Sequence, residues 1–426
     1  MRPMLIFDKS FLQSLSIDES VILDQMFSCV VTPLFFVETM ADLTKETARG
    51  RTAEQVVGGL AERTPVAHSY INTYHQDVIL EDLLGQRQDF DHRPAVAGGI
   101  PVRVEGKAGL VFQKSPEQDA FDRWQQGRFL DVERDFAQQW RADLASIDLP
   151  AIAQAWRSML RKEDRPKTHE AARGLARRVV GAGGQNYRAL RMAHDLLGMP
   201  PQSLNAVVQS WRAAGSPPLR EYAPFAAHCL EVDLFFELCL SNGLISDQRP
   251  SNKVDISYLY YLPFADFFVS GDKLHRTAVP LHIDEKQRFV WGTDLKTDLA
   301  TLNAYFAARP DEERAKGIFS LASKPPVEHD GIVASLWDIW RPGWREPKLP
   351  SPRLTPKMET QILARSRGLT DAAKRGKLGP LKSDQDVEHL VIQRYIPKQR
   401  GSWRMFSAAV ETSSDAEWER ERQRSR

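Results

Sequence analysis

Cysteine is scarce. The chain has three in 426 residues, Cys29, Cys229 and Cys239, too few and too scattered for a disulfide framework or a cysteine-rich zinc module; a reducing compartment suits them best. Long apolar runs are missing too. The longest, Met26 to Val37, is broken by Ser28, Thr32 and Pro33 and falls short of the roughly 20 residues of a spanning helix. Before Asp8 only Met4, Leu5, Ile6 and Phe7 form an apolar run, too short for the core of a secretion signal. Neither charge sign dominates, with 57 Lys and Arg against 56 Asp and Glu, which excludes a uniformly cationic coat. No Cys-x-x-Cys or His-Glu-x-x-His spacing and no Gly-x-Ser-x-Gly elbow occurs, which argues against zinc and serine-hydrolase chemistry. The expectation is a cytoplasmic, water-soluble protein with no membrane partner.

The apolar fraction of 42% and charged fraction of 27% are those of an ordinary folded protein. The length allows two or three domains. Met4 to Phe7 reads as a strand buried on both faces. Ser16-Ile17-Asp18-Glu19 offers a capping box for a helix, Cys29 to Thr32 a β-branched second strand, and Pro33 the first turn of a helix from Leu34 to Lys45. Strand, helix, strand, helix is an α/β beginning.

From residue 47 to 217 the character becomes mainly helical, and this interval reads as an insertion. Between Trp156 and His194 it carries ten Lys or Arg against three Asp or Glu. The α/β pattern resumes over 218–300, with an apolar helix from Leu219 to Leu240, a short helix opened by Asp255 and running to Tyr261, a strand Phe267 to Ser270, a Gly271-Asp272 turn, and a strand Arg288 to Trp291. Residues 301–426 read as a basic, partly flexible extension. Lys348 to Pro356 reads as a proline-rich linker, and Arg341 to Arg404 holds fifteen basic residues against six acidic.

The chemistry-bearing pattern is acidic. Asp8 ends the first strand, Asp272 follows a later strand by one glycine, Asp255 starts a helix leading into that strand, and Glu38 interrupts the apolar helix Leu34-Phe35-Phe36-Val37-Glu38-Thr39-Met40. Ligands of open parallel sheets collect outside the carboxyl ends of the strands, where Asp8 and Asp272 both emerge. Each acid alone has an ordinary explanation, as helix cap or turn residue. Together, so many like charges at one edge call for a cation, and oxygen-only ligands favour Mg2+ or Mn2+. Asp42, one turn beyond Glu38, reads as solvated, and Asp266 as the turn residue that launches the strand.

In that order these pieces resemble the PIN-like nuclease family. Asp8 in Leu5-Ile6-Phe7-Asp8, Glu38 in Val37-Glu38, Asp255 in Val254-Asp255-Ile256 and Asp272 in Ser270-Gly271-Asp272 match the family's four acids. The match spans about residues 1–46 and 218–295. The resemblance implies a three-layer α/β/α core with a parallel central sheet, completed by the helical insertion and the basic C-terminal extension. It also implies a metal-dependent, endoribonuclease-type hydrolase cutting phosphodiester bonds, in RNA before single-stranded DNA, through a carboxylate-held divalent metal and an activated water. Asp8, Glu38, Asp255 and Asp272 would be both metal ligands and catalytic residues. The two basic regions would form a track for nucleic acid, with the insertion available to a protein partner. The alternative is an inactive PIN-like scaffold that binds nucleic acid or protein, within a bacterial toxin or defence system.

Overall fold

Met4-Leu5-Ile6-Phe7 is extended and almost wholly buried, as an apolar run must be when both faces of its sheet are covered. A computed structural model describes residues 2–104, 107–112, 116–182, 184–346, 355–376, 389–392, 394 and 396–407. Among them the strands are β1 Met4–Phe7, β2 Ser28–Val31, β3 Ser69–Ile71, β4 Gly99–Val104, β5 Lys107–Phe112, β6 Phe267–Ser270, β7 Arg288–Trp291, β8 His389–Ile392, β9 Gln399–Arg400 and β10 Trp403–Arg404. The central sheet has the order β3-β2-β1-β6-β7. All its pairings are parallel, with Leu5 opposite Cys29 on one side and Phe267 on the other.

Side-chain alternation divides the core in two. Ile6, Val30 and Phe268 point to one face, where the Pro224–Ser241 helix lies among its neighbours. Leu5, Phe7, Cys29, Val31, Phe267 and Val269 point to the other. That second face is covered by Ile17–Met26, Gly292–Ala307 and Ile332–Trp340 through Val21, Ile22, Leu299, Leu302, Val333 and Trp337. Helices on both faces of a parallel sheet make a three-layer α/β/α arrangement. The expected capping box at Ser16 and Glu19 is present. The Pro33–Thr47 helix starts at its proline, whose missing N–H costs nothing in a first turn.

Several boundaries differ from the sequence reading. Ser69–Ile71 pairs with β2 as an edge strand of the central sheet, so the core takes a strand from the 47–217 interval. Its three residues are too short for a period-two signal to register. That interval also holds the β4–β5 hairpin, which β8 joins in parallel. The long Leu219 helix is two helices, Leu219–Tyr222 and Pro224–Ser241, because Pro224 cannot continue a helix but can open one. Asp82, far away in sequence, caps the second by accepting from Phe225 N at 2.8 Å and Ala226 N at 3.0 Å. Asp255 does not open a helix. It sits in the closing turn of Ser251–Ser257, which starts after Pro250, and a 3-10 segment, Tyr258–Phe264, carries the chain on to β6.

The C-terminal portion is partly built into the body. Pro356–Lys374 packs Leu369, Ala372 and Ala373 against Val102 and Val111 of the small sheet. Arg400 is buried, and its guanidinium reaches Asp24 at 3.4 Å and the carbonyls of Glu62 and Thr64. Most of the linker expected at Lys348 to Pro356, and Tyr395, lie outside the described residues.

Candidate active site

The chain leaves β1 towards β2 and β3 on one side, and leaves β6 towards β7 on the other. The carboxyl ends of β1 and β6 therefore flank the switch point where open α/β sheets take ligands. Asp8 follows β1 directly. It is the N-cap of Lys9–Ser14, its Oδ1 accepting from Phe11 N at 2.8 Å. Its Oδ2 accepts from the Ser270 hydroxyl at 2.6 Å, and the Ser10 hydroxyl lies 2.9–3.0 Å from both oxygens.

Behind Ser270 stands His275, 1% exposed. Its Nδ1 is 2.8 Å from Ser270 Oγ and 3.5 Å from Asp8 Oδ2, and its Nε2 is 2.7 Å from the Asp255 carbonyl. A carbonyl only accepts, so Nε2 donates. Burial opposes a charged imidazole, but Asp8 and then Asp255 prevail and push its pKa up to about 9. The protonated ring donates from Nδ1 to Ser270, which in turn donates to Asp8. Burial alone would raise Asp8; His275, Ser270 and the Phe11 N–H outweigh it and hold the carboxyl below its ordinary value.

Glu38 reaches the same edge from the Pro33–Thr47 helix. Its Oε2 accepts from the Tyr258 hydroxyl at 2.8 Å. Lys9, buried against this helix, brings its ammonium to 3.7 Å from Glu38 Oε1, 3.2 Å from the Glu38 carbonyl and 2.5 Å from Asp42 Oδ2. Asp42 is thus ion-paired rather than simply solvated. Burial raises the Glu38 pKa, and Asp8 and Asp42 add to the rise against Lys9 and Tyr258. Asp272 caps Lys273–Ala278, accepting from Leu274 N at 2.5 Å, and its own N–H donates to Ser270 Oγ at 2.9 Å.

Asp255 differs from the others. Among the described residues its carboxylate has no hydrogen-bond or ion-pair partner; only its carbonyl is engaged, by His275. Burial comes first in raising its pKa to about 7. His275 works the other way, and the fields of Glu38, Asp272 and Asp8 add to the rise. The other three sequence-selected acids therefore all lie within electrostatic reach of Asp255, from segments as distant as Asp8 and Asp272.

The donor chemistry fits a hard divalent cation: oxygen only, with Asp255 and Asp272 in no ion pair among the described residues. The spacing is looser. Among the described residues no group of three or more His, Cys, Asp or Glu side chains is drawn together closely enough to hold a metal ion. Gathering these carboxylates takes side-chain rotation, and the Ser10 and Ser270 hydroxyls already occupy part of Asp8.

Sequence reasoning passed over Lys9 and His275 as partners of the acids. The signal for His275 is its spacing: three residues after the capping Asp272, it lies in the first turn, on the side facing the cap. Asp266 does more than launch β6, for its Oδ2 accepts from Met4 N at 2.7 Å and its Oδ1 lies 3.0 Å from His92 Nδ1. Many cations of the expected basic track are engaged internally. Arg161 pairs with Asp164, Arg191 with Asp195, Arg173 with Glu231, and Arg345 with Asp338. Trp403 is buried, its indole donating to Asn303. Compared with known protein families, curated proteins and solved structures, the chain returns no match.

Proposed function

We propose that this protein is a metal-dependent phosphodiester hydrolase of PIN-like type, acting on RNA. The observation that carries the reading is the convergence of Asp8, Glu38, Asp255 and Asp272 on the carboxyl edge of the sheet, around the β1/β6 switch point. A structural scaffold has no need to confine four acids there, since each costs repulsion. All four would hold the ion, with Asp255 the acid whose carboxylate has no hydrogen-bond or ion-pair partner among the described residues. A divalent cation held there would supply charge neutralisation and a more acidic water as nucleophile.

The chain's own residues have separable tasks. Ser270 and the His275 imidazolium keep Asp8 ionised and fixed. Tyr258 orients Glu38. Lys9 neutralises the Glu38 and Asp42 end, which limits the net negative charge a polyanion meets on approach. Exposed Lys273, next to Asp272, is placed to meet a phosphate.

The test is cleavage of labelled RNA and single-stranded DNA with Mg2+ or Mn2+. Asp8→Ala and Asp272→Ala are each expected to lower RNA cleavage by at least about 100-fold, as loss of a charge-stabilising group does. Cutting that persists unchanged in both variants refutes the site. Binding without cutting by the wild type, under every metal tried, would instead identify the inactive scaffold.

A further inference from the structure

A second feature lies at the opposite end of the sheet. Asp266 and Gln287 immediately precede β6 and β7, so they mark the amino edge, away from the acids. A cavity of about 450 Å³ opens there, lined by Arg173, Arg177, Arg220, His228, His282 and Phe90, with Asp284 at its margin. That volume is in the range of small-molecule sites. It is the right order for one mononucleotide and too small for a folded polymer.

Its charge is uneven. Two carboxylates line it, and both are engaged: Glu231 by Arg173 and Arg220 together, Asp284 by His92 at 3.3 Å. Three guanidiniums against two carboxylates leave a surplus of positive charge. Arg177 is exposed and has no ion-pair partner among the described residues. Arg173 spends its Nε on the Leu281 carbonyl and one terminal nitrogen on Glu231, and its other terminal nitrogen has no hydrogen-bond partner among the described residues. Guanidinium forks grip a tetrahedral dianion with paired hydrogen bonds.

Two further observations describe the rest of a ligand. Phe90 is 47% exposed at the mouth, its ring 6.0 Å from His228, an apolar plane offered to solvent where a planar base could stack. The wall is also under-bonded, for Arg220 Nε and His282 Nε2 are buried with no partner among the described residues. His282 Nδ1 is 3.0 Å from the Ala278 carbonyl and must donate to it, so Nε2 is left as a buried acceptor without a donor among the described residues.

We infer that this amino-edge cavity is a binding site for a nucleotide-sized phosphate monoester, its phosphate held by Arg173, Arg177 and Arg220 and its planar part by Phe90. The inference stands apart from the hydrolase reading, since none of these residues touches the acids.

Isothermal titration of the full chain in EDTA tests it, with AMP, adenosine and citrate as probes. AMP is expected to bind saturably, and adenosine and citrate at least about tenfold more weakly. Arg177→Ser and Phe90→Ser change exposed side chains and spare the fold. They should weaken AMP by about tenfold and threefold respectively. Asp8→Asn, at the far edge, should leave AMP affinity unchanged. No binding at 5-millimolar-order AMP (about 5 mM, a Kd beyond any useful affinity) overturns the site. So do AMP affinities equal to wild type in both Arg177→Ser and Phe90→Ser, loss of binding in Asp8→Asn alone, or citrate binding as tightly as AMP.

Discussion

His275 is the residue on which the candidate site turns. Its folded-state pKa, about 9, lies above the ordinary value of 6.5. A raised histidine pKa means that the folded state holds the proton more tightly than the unfolded chain. The stabilisation is therefore complete below about pH 6.5 and lost as pH climbs through about 9. The shift corresponds to about 3 kcal/mol for the metal-free protein. Thermal melts in EDTA should show midpoints falling across that window. In His275→Gln the fall should be largely gone, with lower stability than wild type below pH 6.5; a wild-type profile that stays flat between pH 6.5 and 9 contradicts the assigned protonation. Phe90 and Arg177 belong to the same scale, as exposed side chains whose chemistry is unexplained by packing.

Elements owe their limits to a few long-range contacts. Asp82 caps the Pro224–Ser241 helix from outside it, across the Ala223–Pro224 break. Asp82→Ala strands two helix N–H groups in the core and should cost about 1–3 kcal/mol, read as a lowered urea midpoint with unchanged slope. Gly317 has φ +84°, and a Cβ there would sit 2.6 Å from the Met405 carbonyl oxygen. Gly317→Ala should cost at least about 2 kcal/mol by the same measurement and loosen the docking of residues 396–407. These cases also mark what was legible beforehand. The Ser16 cap, β1, β2, β6 and β7 announce themselves through local pattern, and so do Asp8 and Asp272, which follow strands in the chain. The partner of Asp82, the third strand at Ser69–Ile71 and the Lys9 ion pairs do not, because each depends on residues dozens to hundreds of positions away. Asp255 was misplaced in its helix, since Pro250 starts the helix earlier than the acid's capping preference suggests.

For the whole molecule, the two cores offer an internal reporter. Cys29 belongs to one face of the sheet, and Cys229 and Cys239 to the other; all three are buried as free thiols. Burial raises the pKa of each, so native protein should react with a thiol-specific disulfide reagent far more slowly than unfolded protein. Titrating urea and mapping which cysteine reacts first would tell whether the faces open together. Simultaneous exposure is the outcome expected of one shared sheet, and independent exposure would show that the layers are separate cooperative units.

Finally, β1 lies between β2, a near neighbour in sequence, and β6, which the chain reaches only after the whole intervening helical region. A chain emerging from the ribosome can thus pair one flank of its first strand early, while the other flank waits for Phe267 to Ser270. Asp8 has no Ser270 or His275 to hold it until then. A polypeptide that has not yet emerged as far as β6 accordingly carries Asp8 and Glu38 without the rest of their constellation, so that the proposed chemistry would stay dormant until Phe267 to Ser270 is in place.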